Sequence, residues 1–317
     1  MVFGSPYACT KRNLEDAGTA GNGSRNMKSW FVTYKRPMAP PGMISQVITS
    51  THGCILTVTG PIIGVELPDK TEIGRYRRPC DAQEIELLKG LAASAISEDS
   101  AAQHEAVPRG TRFLTFGIGE TGKDIERFAS VPMSKQFAPS VKQFDDAMIA
   151  SARKSLEHPH TTLTGIASLP SSPVIPQQEF RLEFALRNSG TAPVSICNPA
   201  AVQDDEKVGV EVMIEKNVPQ ENMEEEDRVY VRLKEGEVAQ LRAPGENSGG
   251  RPEPITRLNP GHEIAFLVQI KRHVYIGAGS YRAWVTYESR TEGIPEEEAV
   301  TGLLRIPAGT FTVNRRK

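Results

Sequence analysis

The stretch Gln178–Cys197, QEFRLEFALRNSGTAPVSIC, constrains the fold more than any other part of the chain. Phe180, Leu182, Phe184 and Leu186 take every second position, and Arg181, Glu183 and Arg187 fall between them. Successive side chains of a strand point to opposite faces, so this alternation predicts a β-strand with one buried and one wet face. Asn188-Ser189-Gly190 reads as a turn, and a short strand is expected over Val194–Cys197 to complete a hairpin. The pattern returns in Val208, Val210, Val212 and Ile214, in Val229, Val231 and Leu233, in Ile264, Phe266, Val268 and Ile270, and in Tyr281, Ala283, Val285 and Tyr287. With no helical period after residue 178, about 140 residues in roughly seven or eight one-faced strands imply an antiparallel, Ig-like β-sandwich.

The first half has a different rhythm. Ser29–Lys35 and Ser45–Thr59 read as strands, the second broken at His52-Gly53. Arg75, Arg77 and Arg78 around Tyr76 suggest a further strand with its arginines turned to solvent. Asp81-Ala82-Gln83-Glu84 has the form of a capping box, in which Asp81 caps a helix and Glu84 reaches back to the cap amide. Ile85, Leu88, Leu91, Ala92, Ala95 and Ile96 then mark one helical face. A strand follows at Thr111–Ile118. A second helix starts at Pro139-Ser140, with Ser140 as cap and Val141, Phe144, Met148, Ala152 and Leu156 on one side, and stops near His158-Pro159-His160. From Thr161 to Pro176 the composition turns to Ser, Thr and Pro without a period.

At 317 residues the chain exceeds the roughly 250–300 at which a single core stops growing. The expected organisation is a tail at 1–28, an α+β domain of antiparallel strands with two helices at 29–160, a Ser/Pro linker at 161–177 and the Ig-like sandwich at 178–317. Lys and Arg against Asp and Glu count 19 to 17 in residues 1–164 and 18 to 22 in residues 165–317. Neither half is basic enough to indicate nucleic-acid binding, and no run of apolar residues is long enough for a transmembrane helix.

Cys9, Cys54, Cys80 and Cys197 are spread singly, without the spacing of a disulfide framework or a zinc site. Cys54 and Cys197 sit in strand-like segments and read as small core residues. As given, the chain starts without a secretory signal, which points to the cytoplasm. The alternative is a lipoprotein anchored in the cell envelope at Cys9, with the polar run to Asn26 as its tether, if translation begins upstream of Met1.

Gly117–Asp124, GIGETGKD, follows the strand TRFLTF and comes within one residue of a phosphate-binding loop. Asp124 stands where that loop needs a hydroxyl, and Pro132 leaves no room for the helix on which phosphate rests. The segment therefore reads as a Gly-rich hairpin. His158 and His160 lack a third ligand at useful spacing, and the clusters Asp204–Glu206, Glu224–Asp227 and Glu296–Glu298 lack the pattern of a calcium loop. No catalytic, metal or cofactor residues are assigned. The loop Pro244–Pro254, PGENSGGRPEP, is either disordered or a binding loop, and Glu246, Asn247 and Arg251 are its candidate partner-binding residues.

Two family resemblances join these observations. Residues 29–158 resemble the emfourin family in the Asp81–Glu84 box, the G-x-R-F-x-x-F segment Gly110–Phe116 and the helix start Pro139–Phe144. Residues 180–287 resemble the Ig-like domain of BsuPI-type intracellular proteinase inhibitors. The carriers are Leu186, Asn188, Gly190, Pro193 and Val194, the turn Asn259–Gly261 and the closing strand Gly279–Ala283. Together they imply a non-enzymatic bacterial protein that binds another protein, with proteinase inhibition as the sharpest version. A structural role as an envelope lipoprotein is the alternative.

Overall fold

The computed structural model describes residues 29–38, 43–50, 53–62, 67–68, 71–101, 108–120, 125–134, 136–169, 180–201, 209–218, 227–241, 252–270, 276–289, 291 and 293–313. The first half contributes strands β1 (Trp30–Pro37), β2 (Met43–Thr49), β3 (Gly53–Val58), β4 (Ile73–Arg78), β5 (Phe113–Glu120) and β6 (Ile125–Pro132). Helix α1 (Ala82–Ala101) lies between β4 and β5, and α2 (Pro139–Ser155) follows β6. The alternation in the remainder yields β7 (Pro159–Ser168), β8 (Phe180–Asn188), β9 (Val194–Cys197), β10 (Val210–Lys216), β11 (Arg228–Arg232), β12 (Val238–Leu241), β13 (Ile255–Leu258), β14 (Glu263–Ile270), β15 (Gly279–Ser289) and β16 (Gly302–Val313).

These strands do not divide into an α+β domain followed by an all-β one, and the expected fold class is corrected accordingly. One antiparallel sheet of ten strands runs through both halves in the order β12-β14-β8-β7-β4-β3-β2-β1-β5-β6. The join is β7, which pairs with β4 on one side and β8 on the other. It occupies Pro159–Ser168, within a stretch that the sequence reads as linker from Thr161 onward. Thr161, Thr162 and Leu163 are buried in succession, because this strand is covered on both faces where it crosses between the cores. A strand covered on both sides loses the alternation by which strands are recognised.

The two faces of the long sheet carry different layers. Ile85, Leu88, Ala92, Ala95 and Ile96 of α1 and Val141, Phe144, Met148, Ala152 and Leu156 of α2 are buried against Val32, Tyr34, Leu56, Tyr76, Leu114 and Phe116. Beyond β4 the opposite face is covered by a four-stranded sheet, β11-β10-β15-β16. That second core joins the apolar rows of β8 and β14 to Val212, Ile214, Val285, Tyr287, Leu304 and Ile306. Strand β4 divides itself by parity: Ile73 enters the sandwich core and Tyr76 the helical one.

The opening stretch is also corrected in detail. Phe180–Asn188 and Val194–Cys197 form no hairpin with each other; β8 lies between β7 and β14, and β9 pairs with β13 in a separate two-stranded sheet. Asn188, fully buried, makes the corner between them. Its amide nitrogen donates to the carbonyls of Ala192 and Leu258, both at 2.9 Å, and its side-chain oxygen accepts from the Gly190 amide at 2.9 Å. A Cβ at residue 190 would collide with the His160 carbonyl, so the corner requires glycine.

Candidate functional site

Two places stand out for what their residues can do. The first is the end of the long sheet. Among the described residues, strand β6 pairs with β5 on one side only and is the last strand of the sheet. Alternation along the register aligns Phe128, Gly117, Thr33, Val47, Ile55 and Arg77 across β6, β5, β1, β2, β3 and β4, on the face away from the helices. Phe128 is 71% exposed and Ile125 45% exposed, while Thr33, Val47 and Ile55 are half-buried. Among the described residues, nothing shields this row as the helices shield the other face.

Phe128 owes its position to a glycine. A Cβ at Gly117 would lie 2.7 Å from Ile125 Cγ2 and 3.3 Å from Phe128 Cβ, so both apolar side chains lie over bare backbone. The register slips by one residue between Ile118 and Gly119, a bulge of the kind that twists an edge strand and re-aims its side chains. Gly117 and Gly119 are thus strand residues in an antiparallel pair, and β6 stands where a phosphate-binding loop would need a helix.

The second place is a polar cluster beneath α2. Cys54 lies opposite Arg78 in the β3–β4 register and is fully buried. Its sulfur is 3.3 Å from Ser155 Oγ, 3.8 Å from Ser151 Oγ and 3.5 Å from Gln46 Oε1. Cys80, partly exposed, lies just ahead of α1, where its thiol acts on that of Cys54. Arg78 donates to Ser155 Oγ at 3.2 Å and Ser151 Oγ at 2.8 Å, and its fork engages Glu84 at 2.9 and 2.5 Å. Gln46 is fixed by donating to the Met148 carbonyl at 2.8 Å.

The electrostatics follow from this geometry. Cys80 lowers the Cys54 thiol to about 7 against the penalty of burial, helped by the Ser155 and Ser151 hydroxyls and the charge of Arg78. Cys80 is pushed up, because Cys54 holds its proton, burial disfavours its charge and the Cys54 charge repels it. Burial works against the Arg78 charge, but the bond to Glu84 and the nearby sulfurs outweigh it and hold Arg78 above its ordinary value. Glu84 is held below the usual carboxylate range by the same bond, against burial, with the charges of Arg78 and Lys154 assisting.

Several expectations from the sequence meet this cluster and change. Arg77 faces solvent, but Arg78 is buried, as its shared parity with Tyr76 requires. Only half of the capping box forms: the Glu84 amide donates to Asp81 Oδ1 at 2.7 Å, while the Glu84 carboxylate turns to Arg78. Ser140 does not cap α2; Ala138 holds that position, and the Ser140 amide donates to Glu98 of α1 at 2.9 Å. Cys54 is a core residue with a polar surround, and no spacing in the sequence links it to Cys80. His160 lies in β7, where burial and then the charges of Arg77 and Arg75 lower its pKa. Among the described residues no group of three or more His, Cys, Asp or Glu could hold a metal ion, and no helix is long and apolar enough to cross a membrane. The candidate binding residues Glu246, Asn247 and Arg251, and Cys9 with its tether, lie outside the described residues.

No family model matches the chain, and no curated protein matches it. Among solved structures, one titled "AvmM Catalyzes Macrocyclization in Alchivemycin A Biosynthesis" is 10% identical with a TM-score of 0.26, covering 49% of this chain and 90% of that one. The PapD-like domain 7 of human CEP192 is 12% identical with a TM-score of 0.20, covering 49% of this chain and 87% of that domain. This chain is similar to each only in part of its length and at a level that assigns neither fold nor activity.

Proposed function

We propose that this protein is a non-enzymatic binder of another protein, and that it holds its partner at β6. The observation that carries the reading is a terminal strand whose outer edge pairs with no other strand among the described residues, and which exposes two apolar side chains, Ile125 and Phe128. An extended segment of a partner can add to such an edge, with main-chain hydrogen bonds giving affinity and alternate side chains giving specificity. Isolated edge strands are ordinarily protected by charge or by a covering element. Here Glu126 and Arg127 supply charge, yet a large aromatic beside them stays open. Proteinase inhibition is the sharpest form of the proposal, since proteinase clefts engage extended backbone and the second half resembles BsuPI-type inhibitors.

The test compares the full chain with the pair Ile125→Lys and Phe128→Lys, and with Leu241→Lys on β12 at the other end of the sheet. Pull-downs from source lysate would be followed by assays of serine and metalloproteinases. Capture that is lost in the β6 variant and kept in the β12 variant supports the reading. Capture indifferent to β6, or a β6 edge that mediates only self-association, overturns it. Failure to inhibit any proteinase removes the inhibitor version while leaving the binding test standing.

A further inference from the structure

The thiols beneath α2 have no role in binding at β6. We propose that Cys54 and Cys80 are a reversible redox pair that closes to a disulfide under a peroxide-class oxidant. Three features of the geometry support it. The β3–β4 register places Cys54 opposite Arg78, two residues before Cys80. The chain turns back tightly there, and a Cβ on Gly53 would lie 3.1 Å from the Cys80 nitrogen. Cys54 is enclosed and Cys80 partly open to solvent, and the two thiols act on each other's protonation. A thiolate is the reacting form of cysteine, and it is favoured next to a cation and hydroxyl donors. Ser151 and Ser155 bring hydroxyls to Cys54, and Arg78, which donates to both hydroxyls, brings the cation.

The chemistry balances in two steps. The Cys54 thiolate attacks one oxygen of hydrogen peroxide, the O–O bond breaks, and the departing hydroxide takes a proton to become water, leaving Cys54 as the sulfenic acid. The Cys80 sulfur then attacks the Cys54 sulfur. The S–S bond forms as the S–O bond breaks, and the leaving hydroxide is protonated by the hydrogen that Cys80 gives up. Two thiols and one peroxide yield one disulfide and two waters; a dithiol reductant reverses the change. Division of labour follows from the surround: Cys54, beside the Ser151 and Ser155 hydroxyls, is the attacking sulfur, and the more exposed Cys80 resolves it. The bridge would tie the start of β3 to the segment that leads into α1.

The experiment uses the full chain with Cys9→Ser and Cys197→Ser, reduced and then treated with an equimolar amount of hydrogen peroxide. Expected are the loss of both remaining thiols, a peptide joining residues 54 and 80, and return of both thiols with dithiothreitol. Alkylation of Cys54 in the reduced protein should follow a pH midpoint near 7, and Cys80→Ala should move that midpoint upward by removing the thiol that lowers it. Circular dichroism confirms that each variant is folded before it is read. Peroxide that leaves both thiols free, or oxidises Cys80 irreversibly without a bridge, overturns the proposal. A Cys54 midpoint unchanged by Cys80→Ala does the same.

Discussion

Beneath α2 the buried side chains include Arg36, Gln46, Cys54, Arg78, Asp145, Ser151 and Ser155, whereas the facing rows of the sandwich are Phe, Leu, Ile, Val and Tyr. The contrast is structural before it is chemical. Two sheets can interdigitate apolar rows from both sides, and Phe180 of β8 meets Phe311 of β16 with ring centroids 5.7 Å apart. Beneath α2, strand and helix residues alike bury polar side chains, and these are partnered there. Tyr34 donates to Asp145 Oδ1 at 2.6 Å, Arg36 donates to the same oxygen at 3.2 Å, and Gln46 takes the Met148 carbonyl. The apolar rows between the two sheets thus draw their stability from area, and the helical core adds satisfied charge and hydrogen bonds beneath α2, while the second half keeps its buried polar groups, such as Asn188, at a corner.

The largest expected effects lie in the two cores, and they should differ in kind. Phe266→Ala leaves a cavity against Phe184 and should cost about 3–5 kcal/mol, with little dependence on pH. Arg78→Ala should cost about 3 kcal/mol, the lower end for breaking a buried ion pair, because Glu84 keeps some contact with solvent and with Lys154. Urea unfolding at several pH values separates the two. If Arg78→Ala costs under about 1 kcal/mol, its pair with Glu84 behaves like a surface bridge and the contrast between the cores fails.

A smaller effect sharpens the same contrast through acid. The folded pKa of Glu84 lies below its ordinary value, so its contribution to stability is complete above the unfolded pKa, about 4.3, and fades as pH falls through the lower folded value. Wild type should therefore exceed Glu84→Gln by about 2 kcal/mol at neutral pH. The gap should close progressively in acid below about pH 4. A gap that stays constant down to that range would mean that Glu84 acts through packing rather than through its charge.

How much of this was legible in the sequence depended on whether an element had one buried face. The rows of β8, β10, β14 and β15 could be read from period two, and the inner faces of α1 and α2 from period 3.6. Strand β7 could not, because both its faces are covered at Thr161–Leu163 and its residues are small and polar. Without β7 the chain reads as two separate folds; with it, one sheet spans both. The thiol cluster was equally hidden: Cys54 and Cys80 meet only through strand register and the turn into α1, and sequence spacing carries neither. Phe128 could be placed on a strand from its alternation, but its openness depends on being the last strand of the sheet, which is a property of topology.

The smallest expected effect concerns that edge. Phe128 is 71% exposed and rests over Gly117, so replacing it with serine removes little buried area. Substitutions at such sites change stability by about 0.5 kcal/mol or less. The melting temperature of Phe128→Ser should accordingly match that of the wild type within a degree or two on the scale of about 2–4 °C per kcal/mol for large domains. Such a result would leave Phe128 without a part in the stability of the fold and would keep the binding proposal at β6 open to its test. If Phe128→Ser instead unfolds several degrees early, the ring is a cover for the glycine backbone of β5. The edge would then belong with the two cores as part of the scaffold.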